Sequence, residues 1–450
     1  MELRPFQVKN RDFLVKHKRC GLVDEMGLGK TRSALAALEM TGVLSGGARV
    51  LILCGKTATY VWRDEIEEHL PEALPAVYIV KGQPYQRNKI WRSASASEDA
   101  IFITTCAAAM RDWSTLAGVS WDIVIIDEYH RRCISRKSKT CLFLKSLKME
   151  YFWPITGTPS KRGPQDMWAM LNIINRHRFS SYWRFINTFC FTEKNYWGTE
   201  ILGPKNVPQF AQTIQPYFIR HEKKDVMPDM PDKIRQIIKI EMTSEQRRIV
   251  DALAKEMIAQ TTGDNLVVAS TVLTKILRMR QVLVCPKIID PDLGIGGSIE
   301  TTGEMIQDLP DPHCMVFTPF TAAMPYIEVH LKRVLLDPPI FIHLQGGLEP
   351  EELARRVKLV KVERGIAICS IQYAESFSIQ TASYGFFPGY DWDPFVNYQA
   401  EDRMHRMDTE NAVNLYYMRY IDSVTDDDLH TILDGKVMSV RKILQRLRAH

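Results

Sequence analysis

Short apolar runs alternate with amphipathic segments through the first half of this chain. Three of the runs are continuous and rich in β-branched residues, namely VLILC at 50–54, IFITT at 101–105 and IVIIDE at 123–128. Strands that are buried on both faces of a parallel sheet have this pattern, and the segments between them, such as TRSALAALEM, have helical periodicity. The alternation therefore predicts a doubly wound α/β lobe.

A second strand rhythm follows a long helical stretch. The chain becomes helical and aromatic from about 164, and a helical pattern covers 243–285 before a loop rich in Gly, Pro and Asp. Strand-like runs then return at 315–320, 341–345, 366–371 and 384–387. We therefore expect an α/β protein with three regions: lobe 1 at 1–225 with a helical extension from about 164, a helical segment and linker at 226–310, and lobe 2 at 311–450 with a basic C-terminal helix.

The composition of the chain excludes several classes of protein but does not identify the function. The chain has 58 basic and 53 acidic residues, and its net charge of +5 permits a nucleic-acid partner without arguing for one. Its nine cysteines occur singly, with no C-x-x-C pair, so we expect neither a zinc site nor a disulfide framework. The N-terminus lacks the apolar core of a signal peptide, and no apolar run approaches the ~20 residues that span a bilayer. We therefore expect a cytoplasmic protein.

The stretch GLVDEMGLGKT at 21–31 is similar to a phosphate-binding loop. The generic pattern G-x-x-x-x-G-K-[ST] begins with glycine, but this chain has Asp24 at that position. Gly27 and Gly29 would let the backbone approach an anion, Lys30 would reach the β- and γ-phosphates of ATP, and the Thr31 hydroxyl would ligate Mg²⁺. The alternative is an ordinary glycine turn before a helix.

A second motif, IVIIDEYH, ends an apolar strand in two adjacent carboxylates. A phosphoryl-transfer site needs one carboxylate on the metal shell and one that orients or deprotonates the attacking water. Asp127 would serve Mg²⁺ and Glu128 the water. A strand that ends in a solvated acidic turn is the alternative, but two such motifs in this order favour an ATP-hydrolysing fold.

A third motif, NYQAEDRMHRMD at 397–408, places Arg403 and Arg406 three residues apart. On a helix that spacing puts both guanidinium groups on one face, where they could act as arginine fingers on the transferring phosphoryl group. Glu401 and Asp402 leave a salt-bridged surface helix as the alternative.

The order of these motifs resembles superfamily 2 helicases and translocases, in their SWI/SNF-like branch. LRPFQ is similar to the opening glutamine motif, DEMGLGKT is that branch's version of the phosphate loop, and DEYH matches the DEAH box with Tyr129 in place of alanine. The segments IRHEKKDVMPDMPDK and LRMRQVLVCP are also similar to branch motifs. The resemblance implies two tandem RecA-like lobes with helical additions between them.

The resemblance also implies roles for further residues. Gln7 would read adenine, and ATP and Mg²⁺ would be the cofactors. The implied DNA contacts are Lys56, Thr104, Thr105 and Thr318, and the residues that couple hydrolysis to movement are His130, Thr156, Gly157, Thr158 and Gln399. A basic tail could add Arg441, Lys442, Arg446 and Arg448 to the DNA contacts, or form a solvated helix on lobe 2.

Two departures from the family pattern concern the second lobe. The chain has ESFSIQT at 375–381 where the branch has a glycine-rich segment, with Ser376 and Ser378 near the expected glycines. Asp408 replaces a glycine that usually follows the last motif arginine. Because the first of these segments normally touches both nucleotide and DNA, these departures put the details of coupling in doubt.

The function implied is that of a DNA-dependent ATPase that remodels branched DNA by fork or junction migration with limited unwinding. QAEDR-x-HR is particularly similar to annealing and fork-remodelling members, and so compact a motor resembles bacteriophage-encoded helicases, which act in the host cytoplasm. A translocase that strips proteins from duplex DNA without strand separation is the alternative. A nucleotide-regulated nucleic-acid-binding protein is a third hypothesis, and RNA is a substrate less typical of this branch. We expect a monomer.

Overall fold

A computed structural model describes this protein over 2–45, 48–70, 76–96, 100–133, 135–196, 198–256, 258–260, 266–268, 272–377, 379–407 and 409–421. The described chain divides into two compact units, the first ending at Pro228 and the second beginning at Asp229. The basic tail, with Arg441, Lys442, Arg446 and Arg448, lies outside the described residues.

The first unit is built on a parallel sheet of seven strands. Its strands, in chain order, are β1 (Gly21–Leu22), β2 (Arg49–Cys54), β3 (Ala76–Ile79), β4 (Ala100–Thr105), β5 (Ser120–Asp127), β6 (Lys148–Ile155), β7 (Cys190–Asn195), β8 (Gly198–Pro204) and β9 (Phe218–Ile219). All except β7 and β8 form the sheet, in the order β3-β4-β2-β5-β6-β1-β9. The apolar runs predicted as strands are therefore confirmed as its centre, where burial on both faces favours such sequences.

Helices flank this sheet and extend beyond it. They are α1 (Pro5–His17), α2 (Lys30–Met40), α3 (Ala58–His69), α4 (Pro84–Ala96), α5 (Cys106–Arg111), α6 (Trp113–Ala117), α7 (Lys139–Ser146), α8 (Trp168–Ile174), α9 (Tyr182–Phe189), α10 (Val207–Ile214) and α11 (Lys223–Val226). The extension from about 164 is not entirely helical, since β7 and β8 form an antiparallel hairpin within it.

The second unit contains a parallel sheet of six strands. Its elements are β10 (Lys233–Ile240), α12 (Ser244–Glu256), β11 (Ile258–Gln260), β12 (Leu266–Val268), α13 (Val272–Val284), α14 (Gly297–Gln307), β13 (Cys314–Thr318), α15 (Met324–Val334), β14 (Phe341–Leu344), α16 (Pro350–Glu363), β15 (Ile366–Ser370), β16 (Tyr384–Phe387), α17 (Pro394–Glu401) and β17 (Val413–Tyr420). The sheet order is β10-β17-β16-β13-β15-β14. The four strand-like runs predicted in lobe 2 are confirmed as β13, β14, β15 and β16.

The stretch after 228 belongs to the second unit. Strand β10 pairs in parallel with β17 along its whole length, from Lys233 opposite Val413 to Ile240 opposite Tyr420. The helical pattern at 243–285 is interrupted, because the short antiparallel pair of β11 and β12 lies between α12 and α13. The helical pattern predicted at 243–285 is therefore not continuous in the structure.

Packing shows why the fold is doubly wound. Along β13, Cys314 and Val316 face one buried cluster of apolar side chains, whereas Met315 and Phe317 face another. A strand whose alternate residues are all buried needs a helical layer on each face of the sheet. The predicted α/β class, with two parallel sheets in tandem units, is therefore confirmed.

The nine cysteines all lie in the described residues, where they are buried free thiols. They contribute small apolar side chains to the cores, as expected. Among the described helices, none has both the length and the apolar content that crossing a bilayer requires.

Candidate functional site

The loop between β1 and α2 has the backbone of an anion-binding turn. Gly27 and Gly29 adopt left-handed conformations, with φ of 81° and 63°, which cost little for glycine but not for residues with a side chain. Gly29 occupies the position just before the first residue of α2, Lys30. The N–H groups of this helix N-terminus are therefore available to an anion beside the two predicted glycines.

Lys30 folds back over the loop in this structure. Its ammonium group donates to the backbone carbonyls of Asp24 and Glu25, at 3.1 Å each. Thr31 follows in the first turn of α2, half-buried. The cation is thus held close to the loop that would cradle a phosphate.

Asp24, which replaces the generic glycine, is a fully buried carboxylate. Its Oδ2 accepts a hydrogen bond from the amide of Asn10 in α1, at 2.6 Å. Its Oδ1 accepts from the backbone N–H of His221, at 2.8 Å, and lies 3.0 Å from Nδ1 of the same imidazole. Because a carboxylate only accepts hydrogen bonds, Nδ1 carries the proton. One side chain therefore joins α1, the loop and the segment that follows β9.

Further contacts join the loop to the segment after β9. Arg220 donates to the carbonyl of Val23 at 2.7 Å, and the Glu25 carboxylate accepts from the backbone N–H of Lys223 at 2.8 Å. The sequence showed IRHEKK as a branch motif but did not reveal a role for it. The structure supplies that role, because these residues support the phosphate loop from about 200 positions away.

Asp127 lies at the end of β5 with a donor on each carboxylate oxygen. The indole N–H of Trp62 donates to Oδ2 at 3.1 Å, and the backbone N–H of Glu128 donates to Oδ1 at 2.9 Å. Burial, followed by the negative charge of Glu128, raises the pKa of Asp127 to about 6. Trp62 is a residue of the site that the sequence did not point to, since its spacing from the DEYH motif is not informative.

Glu128 is half-buried and ionised. Burial alone would raise the pKa of this carboxyl, but a hydrogen bond and the charge of His130, together with Lys30, lower it to about 2. Its backbone is left-handed, with φ of 46°, a conformation that is rare for residues other than glycine and is often found at functional sites. A carboxylate with so low a pKa is a weak base. Glu128 is therefore better suited to orienting a water molecule than to deprotonating it.

Four of the predicted coupling residues lie together beside this carboxylate. The buried His130 places Nδ1 at 2.6 Å from Thr156 Oγ1, 3.2 Å from Thr158 Oγ1 and 3.1 Å from Glu128 Oε2. Gly157 lies against the phosphate loop so closely that a Cβ there would be 2.5 Å from Cγ of Met26. The cluster therefore connects the acidic motif with the loop inside the first unit.

Several predicted contacts have other partners. The Gln7 side-chain oxygen accepts from the backbone N–H of Arg4 at 3.0 Å, which caps α1. Thr104 is fully buried and donates to the carbonyl of Val80, and Thr318 is fully buried with its hydroxyl on the backbone of Phe320. Neither hydroxyl reaches the surface, so the burial of these two threonines does not support their predicted contacts with DNA.

The other two predicted DNA contacts remain accessible. Lys56 is exposed just beyond β2, and Thr105 is half-buried at the end of the neighbouring strand β4, where it caps α5 by accepting from Ala108 at 3.2 Å. Parallel strands end at one edge of the sheet, so both residues lie on the same side of the first unit.

The predicted helical face with two arginines is not formed. Helix α17 ends at Glu401, and both Arg403 and Arg406 lie in the turns that follow. The Arg403 guanidinium donates to the carbonyl of Gln399 at 3.1 Å, and Gln399 itself is buried. The acidic residues at the helix end, Glu401 and Asp402, are buried against cations of β10.

The segment that lacks the family's glycines packs as core. Phe377 and Ile379 are buried in the apolar cluster on one face of the second sheet, whereas Ser378 and Asp408 lie outside the described residues. Ser376 is the last residue of a short 3₁₀ turn. The carbonyl of Arg403 accepts from the N–H of Ile379 at 2.9 Å, so this segment supports the arginine turn.

The donor set of the first unit fits a nucleotide-bound cation. Within the described residues, no group of three or more His, Cys, Asp or Glu side chains could hold a metal ion alone. Mg²⁺ needs only one or two protein oxygens when substrate phosphates complete its shell, and Thr31 with Asp127 matches that need. Asp127 and Glu128 are adjacent, half-buried carboxyls, and the charge of Glu128 raises the pKa of Asp127, so a bound cation would offset their mutual repulsion.

Restoring the generic glycine should harm this protein. We predict that Asp24→Gly lowers the free energy of unfolding by about 2–5 kcal/mol, because the donors of Asn10 and His221 lose a buried acceptor. Urea denaturation followed by circular dichroism measures the change. Asp229→Gly, at an exposed turn residue, is the matched control and should change stability little. Equal midpoints for the two variants would refute the role of Asp24.

Comparison with known proteins gives a family and several relatives for this chain. Residues 12–288 match the SNF2-related domain. The chain is 23% identical, over 98% of its length, to 35% of the "Nuclear protein STH1/NPS1" of Saccharomyces cerevisiae. It is 25% identical, over 96% of its length, to 39% of the Homo sapiens "DNA annealing helicase and endonuclease ZRANB3". It thus spans about a third of the length of these curated relatives.

One solved structure that is similar over nearly the whole chain is the "Sulfolobus solfataricus SWI2/SNF2 ATPase core in complex with dsDNA". It is 20% identical, with a TM-score of 0.47, and the match covers 98% of this chain and 97% of that one. The family match extends over more than half of the residues of this chain. The chain therefore belongs to the SNF2-related domain family.

Proposed function

We propose that this chain is a DNA-dependent ATPase that uses ATP hydrolysis to translocate along DNA and to remodel branched DNA. The observation that carries this proposal is the phosphate loop, with Lys30 near the half-buried pair of Asp127 and Glu128 in one unit. Burial acts to raise the pKa of both carboxyls, and the charge on Lys30 lowers each of them. Cation, metal-binding carboxylate and water-orienting carboxylate are the parts that phosphoryl transfer requires.

Each residue of the first unit has a distinct part in the proposed hydrolysis. The N–H groups behind Gly29 bind the phosphates, and Lys30 neutralises charge on the β- and γ-phosphates. Thr31 and Asp127 hold Mg²⁺, which supplies positive charge to the phosphate oxygens when bound. Glu128, anionic at neutral pH, orients the attacking water.

Other residues complete the proposal by family resemblance. Gln7 reads adenine, and Arg403 and Arg406 neutralise charge that develops on the transferring phosphoryl group. His130, Thr156, Gly157 and Thr158 relay the state of the nucleotide within the first unit, where their contacts with Glu128 and Met26 support that role. Gln399 contributes from the second unit through its carbonyl contact with Arg403.

DNA is bound mainly through its phosphates. Lys56 and Thr105 lie at the same edge of the first sheet and offer an ammonium group and a hydroxyl. Contacts of this kind do not read sequence, and they weaken as salt rises. We therefore propose sequence-independent, salt-sensitive binding.

The relatives support two kinds of DNA remodelling. The name "DNA annealing helicase and endonuclease ZRANB3" favours work on branched DNA, with fork or junction migration as the product. Other relatives carry names such as "Chromatin structure-remodeling complex subunit snf21", which favour displacement of bound proteins from duplex DNA without strand separation. A nucleotide-regulated DNA-binding protein that turns over slowly is disfavoured by the acidic pair, which such a protein would not need.

We also propose a monomer that works in a reducing cytoplasm, including that of a bacterial host if a phage encodes it. The nine buried free thiols support the reducing compartment, since oxidising compartments favour disulfides.

Loss of the loop cation should abolish turnover. We predict that Lys30→Ala lowers the rate of ATP hydrolysis by about 10²-fold or more, because the positive charge on the β- and γ-phosphates is lost. A coupled phosphate-release assay measures the rate. Lys332→Ala removes an exposed lysine that pairs with Glu328 and should leave the rate unchanged. Hydrolysis that survives in the Lys30 variant would refute the assignment of the loop.

The rate of ATP hydrolysis should fall in acid, and the pH at its midpoint should depend on the Mg²⁺ concentration. The rate should fall as the pH drops through about 6, because Asp127 then becomes protonated and no longer ligates the cation. Higher Mg²⁺ competes with the proton and should move the midpoint to lower pH. Trp62→Phe should move it to higher pH, because the indole N–H favours the ionised carboxylate. Initial rates of hydrolysis are measured across pH at two Mg²⁺ concentrations. A midpoint that does not change with Mg²⁺ would contradict the assignment of Asp127 as a Mg²⁺ ligand.

The preferred DNA structure distinguishes the two kinds of remodelling. We predict stronger ATPase stimulation and strand release with forks and four-way junctions than with single strands, blunt duplex or RNA. Stimulated hydrolysis and labelled-strand displacement are measured on each substrate. Displacement of a triplex-forming strand without any separation of duplex strands would instead identify the protein-stripping translocase.

A further inference from the structure

The turn that carries Arg403 and Arg406 is joined to strand β10 by a cluster of charges around two buried carboxylates, those of Glu401 and Asp402. We propose that Lys233 and Arg235 are positioning residues that fix the arginine turn in the geometry needed for hydrolysis. This inference rests on the proposed function, and it assigns a role to two residues that do not themselves touch the phosphates.

Arg235 and Glu401 form the centre of the cluster. The guanidinium binds the carboxylate through both oxygens, with Nε at 2.6 Å from Oε1 and Nη2 at 2.5 Å from Oε2. Glu401 is fully buried, and it is the last residue of α17. A two-pronged contact of this kind fixes the orientation as well as the distance of its partner, which a single charge cannot do.

Lys233 binds the same end of the helix. Its ammonium group lies 2.9 Å from Oδ1 of Asp402 and 3.1 Å from Oε2 of Glu401. Asp402 directly precedes Arg403 in the chain. The two cations of β10 therefore hold the two residues from which the arginine turn starts.

Aromatic groups enclose the cluster. The ring of Tyr398 lies 4.8 Å from the guanidinium of Arg235, and the hydroxyl of Tyr417 donates to Glu401 at 2.8 Å. Burial alone would raise the pKa of Glu401, but the charges of Lys233 and Arg235 keep that pKa below its ordinary value. The carboxylate therefore stays ionised and bound.

Backbone contacts extend the attachment on both sides of the turn. His405, between the two arginines, donates from Nε2 to the carbonyl of Pro231 at 2.7 Å. Val413, at the start of β17, donates to the carbonyl of Asp232 at 2.9 Å. The stretch at 231–235 thus contacts the arginine turn near its beginning, its middle and its end.

The chemistry of the cluster favours positioning over mere stability. Apolar residues of similar volume often stabilise a core as well as a buried ion pair does, whereas charged groups with fixed hydrogen bonds can enforce one arrangement. Here the arrangement that they enforce includes Arg403, whose Nε donates to Gln399 and whose own carbonyl is held by Ile379. A small displacement of the turn would move the guanidinium from its place.

The test uses the full chain and measures hydrolysis of ATP with Mg²⁺ and duplex DNA. Arg235→Met and Lys233→Met should each lower kcat by about 10-fold or more, while KM for ATP and the affinity for a fluorescent ADP analogue change less than about twofold. Lys239→Met changes an exposed lysine of the same strand and should match the wild type. Thermal unfolding checks that each variant is folded.

Two further variants separate positioning from stability. Arg235→Lys keeps the positive charge beside Glu401 but loses the two-pronged contact, so it should fold and still show a reduced kcat. In a chain that already carries Arg403→Ala and Arg406→Ala, adding Arg235→Met should cause no further loss, because a positioning residue acts only through the arginines.

The outcomes separate this inference from the proposed function. An unchanged kcat in Arg235→Lys, or a full further loss when Arg235→Met is added to the variant without both arginines, overturns the positioning role. If the wild type fails to hydrolyse ATP, the proposed function fails and this inference fails with it. An active wild type with the expected defects in Arg235 and Lys233 variants supports both.

Discussion

The buried carboxylate of Asp24 is the constraint on which the rest of the first unit depends. It stands where a generic phosphate loop has glycine, and it accepts hydrogen bonds from Asn10 in α1 and from His221 beyond β9. A buried carboxylate is tolerated only when such donors satisfy it. In satisfying it, the protein gathers the first helix, the phosphate loop and a distant segment into one arrangement, and Lys30 then binds the backbone carbonyl of the same residue.

The two carboxylates that follow β5 show how neighbouring groups of one chemical type acquire different tasks. Burial and a neighbouring negative charge raise the pKa of Asp127 to about 6, so this group is poised to gain from a cation. Glu128, held by His130, has its pKa lowered to about 2 in spite of burial and stays anionic. In the second unit the same principle operates at Glu401, where two cations keep a buried carboxylate ionised and thereby hold the arginine turn.

Features that depend on the local sequence pattern were predicted correctly, whereas features that depend on contacts between distant segments were not. Buried strands and the loop glycines were predictable, because continuous β-branched runs and left-handed turns have few alternatives. The partners of Asp24 were not, since His221 is 197 positions away. Thr104 is buried with its hydroxyl on the carbonyl of Val80, a contact that no local pattern reveals. Helix α17 ends at Glu401, which binds Arg235 of β10, so Arg403 lies beyond the helix and the predicted helical face is not formed.

Asp24 keeps the proposed nucleotide site in shape, so the affinity for nucleotide tests the role of this residue most directly. Isothermal titration of a non-hydrolysable ATP analogue with Mg²⁺ should show binding to the wild type. The variant Asp24→Asn keeps the side-chain volume but turns an amide toward the donors of Asn10 and His221, and it should bind the analogue at least about tenfold more weakly while folded. A wild type that binds no nucleotide, or a folded Asp24→Asn variant with undiminished affinity, would contradict the account.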